Sequence, residues 1–193
     1  MDFSKQHGIS LLARLRAELS LNAHRRAGHD IEWSGKPLFF EGWPIFRARE
    51  GTIRLGEDFR MRGGPTRTRM ITRAGGRIET GNYVGINFGC EITSELLIKI
   101  GNYSSIGPHV TIYDTSFHPV GEGDEIRTAP VEIGENVWVG RNVLILPGVT
   151  IGDHSVLASG SIVARDVPPR TLVAGNPAKP LREFEASENW RRM

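Results

Sequence analysis

The chain has 193 residues with 24 basic and 22 acidic side chains, a near balance that excludes a general nucleic-acid binder, whose affinity needs a concentrated cationic surface. No apolar run approaches the roughly 20 residues of a membrane span, and the opening MDFSKQHGISLLARLRAELS lacks the apolar stretch and small-residue cleavage site of a secretory signal. A lone cysteine, Cys90, forms no internal disulfide and suits a reducing compartment, so a cytoplasmic protein is expected.

Residues 1–50 show no repeat and are expected to form a helical segment and a cap. Leu11, Leu12, Leu15 and Leu19 fall on one helical stripe, with Arg14, Arg16 and Glu18 at polar positions. Trp33, Phe39, Phe40 and Trp43 then form an aromatic group suited to sugar faces or to closing the open end of a coil.

From Gly81 onward a six-residue period takes over. GNYVGINFGCEI carries it through Gly81, Ile86 and Ile92, and the phase returns at Ile100 and Ile106. From Ile133 it runs without a gap through Val139, Ile145, Ile151 and Leu157, while Val137, Val143, Val149, Ser155 and Ser161 follow each aliphatic by four places. Short strands that cannot bury a face alone stack on identical neighbours, so the aliphatics point inward and the residues four places on fill corners. Period six does not match a 3.6-residue helix, and a β-sandwich needs no such phase. The chain therefore reads as all-β, a parallel β-helix over 51–170 with a short C-terminal extension, 171–193.

Two interruptions stand out. The spacing of eight between Ile92 and Ile100 predicts a small bulge around Thr93, Ser94 and Glu95. The register is then lost between Ile112 and Ile133, an excursion at 113–132 that contains Asp114 and His118-Pro119. A long excursion from a tight solenoid is where function is expected. The remaining histidines, His7, His24, His29, His109 and His154, have no metal-ligand spacing, so no metal is expected. His109 and His154 fall at turn positions that could line a subunit interface. Cys90 reads as a small inward corner residue rather than a nucleophile.

INFGCEI, DTSFHPVG, IGENVWVGRNVLILPGVTIG and GSIVARDVPPRTLVAGNPAKPLRE together resemble the hexapeptide-repeat acyltransferases, over roughly residues 78–182. The resemblance is to their sugar O-acetyltransferase branch, the maltose, galactoside, O-antigen and capsule enzymes. It implies a left-handed β-helix and a homotrimer with acetyl-CoA bound between subunits. It implies His118 as the catalytic base that takes the proton of an attacking hydroxyl, a task for which imidazole is suited near neutrality. Asn87 matches an active-site asparagine, and the backbone N–H of Arg141 falls where the family stabilises the thioester oxyanion. Glu95 matches a carboxylate that contacts the sugar, and Trp138 an aromatic beside the active site that can stack on sugar or pantetheine. Gly140, Ser159 and Ala164 match the pantetheine path, and Arg165 and Lys179 are placed to meet nucleotide phosphates.

The implied activity is O-acetylation of a carbohydrate hydroxyl by direct transfer from acetyl-CoA. Residues 1–50 do not resemble the start of the maltose enzymes, which points the acceptor toward a cell-surface polysaccharide precursor. An amino-sugar nitrogen, serine or an antibiotic as acceptor, or a non-catalytic scaffold, remain open alternatives. The leucine-bearing helix is expected to pack on the trimer, with weak contact to an anionic lipid surface as its other use.

Overall fold

The computed structural model describes residues 11–192. The first ten residues, which include His7 and half of the stretch read against a secretory signal, lie outside the described residues, as does Met193. A helix, Leu11–Arg26, precedes three sheets of six, eight and six strands that form the faces of a solenoid. The first coil supplies Asp30–Trp33 to the first face, Leu38–Phe40 to the second and Ile45–Arg47 to the third. Each later coil lays its strands parallel on these, consistent with the left-handed coil that the resemblance implies.

The stacking follows from identical residues meeting in register. On the first face Ile31 pairs with Ile53, Ile53 with Ile78, Ile78 with Ile98, and Ile98 with Val131. All five are 2% exposed or less and run as one column through the core. The residues four places after each hexad aliphatic are also buried. Where one is a serine its hydroxyl is satisfied: Ser155 donates to Pro168 O at 2.7 Å and Ser161 to Ala158 O at 2.7 Å. Tight stacking leaves no room for a side chain at some corners. A Cβ on Gly101 would lie 2.5 Å from the Gly134 carbonyl.

Two expectations need correction. The solenoid begins at Asp30, inside the stretch expected to be a non-repeating cap. Coils there are long, Glu32 facing Arg54 and Arg54 facing Glu79, partners 22 and 25 residues apart against 18 for Glu135 and Asp153. The extra corner residues hide the six-residue phase. Of the aromatic group, Phe39 is in the core, stacked on Phe46 with ring centres 5.8 Å apart, while Trp43 is 47% exposed.

The second correction concerns the helix. Its buried residues are Ala13, Ala17, Ser20 and Leu21, which close the open end of the first coil. The four leucines of the stripe are exposed instead. Ala13, Ala17 and Ser20 let the helix approach the flat end of the coil closely, and Leu21 fills its core.

At the other end Thr171–Gly175 adds a further strand to the second face, and Ala178–Glu183 turns back antiparallel on it. The chain then returns along the corner between first and second faces. Trp190 stacks on His154, and Asn136 Nδ2 donates to Trp190 O at 2.8 Å. Arg192 donates its backbone N–H to Asn136 Oδ1 at 2.9 Å and a guanidinium N–H to His154 O at 2.6 Å. His154 is therefore covered by its own chain's tail rather than offered to a subunit interface. Burial, and after it the Arg170 charge, holds its imidazole below the usual range.

Candidate active site

The excursion leaves the corner where the third face passes to the first, and its stems are tied down. Thr115 and Thr128 form an antiparallel bridge, Ser116 N–H donates to Arg127 O at 2.9 Å, and Ala129 N–H donates to Asp114 O at 2.9 Å. Phe117 adopts a left-handed φ of 60° and places its ring edge-on to Tyr113, centres 5.2 Å apart, with the Arg73 guanidinium 5.7 Å away on it. Burial, then the Glu91 charge and hydrogen bond, push the Tyr113 hydroxyl up to about 12. His118 follows this wedge and is exposed; its carbonyl accepts from Ser116 Oγ at 3.1 Å.

One coil earlier the same corner carries Glu95. The expected bulge around 93–95 is narrower than predicted. Thr93 and Ser94 are buried in the strand Glu91–Ser94, and only Glu95 and Leu96 make the turn. Asp114 holds that turn. Its fully buried carboxylate accepts from Ser94 Oγ at 2.6 Å, Glu95 N–H at 2.8 Å and Leu96 N–H at 2.9 Å. These bonds leave both of its oxygens occupied by the Glu95 turn rather than by His118. Asp114 instead joins the base of the His118 loop to the turn that presents Glu95.

A second group lies on the corner between second and third faces. Asn87 Oδ1 accepts the Phe88 N–H at 2.9 Å, and two coils further along Gly140 stacks on Ser159. A Cβ on Gly140 would lie 2.7 Å from Ser159 N, so only glycine permits this approach. The Arg141 backbone N–H, expected to face an oxyanion, donates to Ser159 Oγ at 3.2 Å, a long bond that an incoming acceptor can replace. Trp138 stands on the outer second face, 51% exposed, paired with Ser105 and Val156.

The predicted residues thus fall into two sets. His118 and Glu95 share one corner, with Ala164 and Arg165 at its last coil; Asn87, Gly140, Arg141 and Ser159 share another. Lys179 is exposed on the terminal hairpin. A third-face strand, roughly 15 Å long, lies between the two corners. Cys90 is buried, its Sγ 3.1 Å from Gly107 O, and burial pushes its thiol up to about 11. Among the described residues no three His, Cys, Asp or Glu gather as a metal-ligand set, and no helix is long and apolar enough to cross a membrane.

These features define a hexapeptide-repeat β-helix protein. Residues 130–165 match the family model described as bacterial transferase hexapeptide, six repeats. The chain is 40% identical over 113 residues to the galactoside O-acetyltransferase of Escherichia coli, covering 57% of this chain and 56% of that protein. It spans about half the length of the curated relatives it matches. A polySia-specific acetyltransferase, NeuO, is similar in structure at a TM-score of 0.70 and 25% identity, over 84% of this chain and 71% of that one. A hexapeptide-repeat acetyltransferase of Vibrio cholerae, solved with acetyl coenzyme A, is 27% identical at a TM-score of 0.55, over 96% of this chain and 94% of that one.

Proposed function

We propose that the chain is an acetyl-CoA-dependent O-acetyltransferase that modifies a sugar hydroxyl of a cell-surface polysaccharide precursor, working as a homotrimer. The observation that carries this reading is the pairing of the anchored His118 loop with the Glu95 turn on one corner of a hexapeptide coil. The E. coli galactoside enzyme supports the sugar acceptor, and NeuO supports a polymeric one.

In the proposed reaction the acceptor hydroxyl oxygen attacks the thioester carbonyl while His118 takes its proton. The C–S bond then breaks, and the proton passes to the departing CoA thiolate. Glu95 holds acceptor hydroxyls, and the Arg141 N–H receives the developing oxyanion in place of the Ser159 hydroxyl. Trp138, Gly140, Ser159, Ala164, Arg165 and Lys179 bind CoA. The placing of the two sets on different corners supports trimerisation, because lateral packing of chains can set the His118 corner of one against the Asn87 corner of the next.

The test offers acetyl-CoA with free sugars, lipid-linked saccharides, serine and an amino sugar. Selective transfer to a saccharide hydroxyl is expected, and fast transfer to serine or an amine refutes O-acetylation. His118→Ala should lower kcat on the order of 10²–10⁴-fold with CoA binding retained. A monomer in sedimentation refutes the shared site.

A further inference from the structure

We infer that the helix Leu11–Arg26 docks its leucine face on an anionic lipid surface. The helix has two opposed sides. Ala13, Ala17, Ser20 and Leu21 pack on the first coil, and the ring of His24 meets Phe46 edge-on at 5.4 Å. At roughly 100° per residue, Leu11, Leu12, Leu15 and Leu19 lie almost diametrically across from that side. They are 75%, 67%, 45% and 64% exposed. A leucine stripe that pointed into the protein would explain itself; this one points away from it.

The surroundings of the stripe indicate what covers it. Arg14 and Arg25 flank it on one side, Arg25 with its guanidinium over the Trp33 ring at 5.1 Å, and Arg26 lies in line with it two turns beyond Leu19; on the other side Arg16 turns its guanidinium to Phe39 O on the coil. Glu18 is the one acidic residue of the helix. At the Leu19 end of the stripe Trp43 and Arg67 join Leu19, Ala23, Arg26 and Pro44 around a shallow cavity of about 590 Å³. Leucines bordered by cations, with an exposed indole alongside, match the chemistry of the boundary between headgroups and acyl chains. A two-fold pairing of this face with a second copy fits less well, since it sets the arginine rim against the same rim of the partner, and a head-to-tail contact within a trimer is the competing occupant that the sedimentation arm below reads. The inference stands apart from the proposed acetyl transfer, because none of these residues belongs to either corner of the site.

Sedimentation of the full chain with vesicles tests it. Wild type should pellet with vesicles containing about one-third phosphatidylglycerol, should stay in solution with pure phosphatidylcholine, and should be released by salt. The variant Leu12→Asp/Leu15→Asp, changed at exposed positions, should keep its thermal transition and its sedimentation mass. It should lose binding by about tenfold or more, and Arg14→Glu/Arg25→Glu should reproduce the loss. Failure of wild type to bind anionic vesicles, or equal binding to neutral ones, overturns the inference. A fall in the leucine variant's sedimentation mass with vesicle binding unchanged also overturns it and makes the face a contact between copies.

Discussion

Replacing Asp114 with asparagine tests whether this buried carboxylate, rather than the loop sequence itself, fixes the Glu95 turn. One oxygen accepts from Ser94 Oγ and Leu96 N–H, the other from Glu95 N–H. An amide oxygen replaces only one of the two. Whichever way the amide turns, its NH2 faces at least one donor. If the oxygen stays with Ser94 and Leu96, the Glu95 N–H loses a charge-assisted acceptor and confronts an N–H. Such a bond contributes about 1.5–3 kcal/mol. Asp114→Asn should therefore cost about 2–4 kcal/mol, with a melting transition lowered by roughly 4–16 °C in a chain of this size. Asp114→Ala should fall in the same range, because Ser94 Oγ already lies 3.0 Å from Arg77 O and can turn its proton there, leaving two backbone donors to find water. Thermal and urea denaturation of both variants, with the exposed Asp124→Asn as control, measures this. A loss no larger than the control's refutes the assignment.

Gly101→Ala should destabilise the fold by about 1–3 kcal/mol, since the new Cβ would lie 2.5 Å from the Gly134 carbonyl; Gly85→Ala, with nothing within 4 Å, should sit near the wild-type melting temperature. Cys90 should ignore a thiol reagent at pH 8 in the folded protein and react at once in denaturant. Because its folded pKa is raised to about 11, the stability it contributes is present below the ordinary thiol range and is lost as pH rises through about 11, which urea titrations at pH 8 and above can follow. His154 has a lowered pKa, so its contribution is present above the ordinary imidazole value of 6.5 and is lost as pH falls below it. The Trp190 segment stacked on His154 should accordingly become susceptible to proteolysis in mild acid while the coils stay folded.

The hexads from Ile133 to Ser161 were legible because three six-residue units close one coil, so residues 18 apart stack and the inward position recurs without interruption. The same signal could not reveal the coils starting at Asp30. Their corners carry extra residues, and stacking tolerates corner length as long as the strands keep register. The His118 loop was marked by loss of the phase, and Cys90 by its place in it. Tertiary structure alone decided the rest. A leucine stripe on a helix shows that one side is apolar, not which side faces the coil; close packing on a flat end selected the alanines. Asp114 is one carboxylate among many in sequence, and only the stacking of its coil on the Glu95 turn gives it three donors. His118 and Asn87 read as partners in one chemistry, yet the width of a face holds them on separate corners. Periodicity reports which way a residue points within its own coil, whereas contacts between coils, between faces and with the ends depend on how those coils are placed in space.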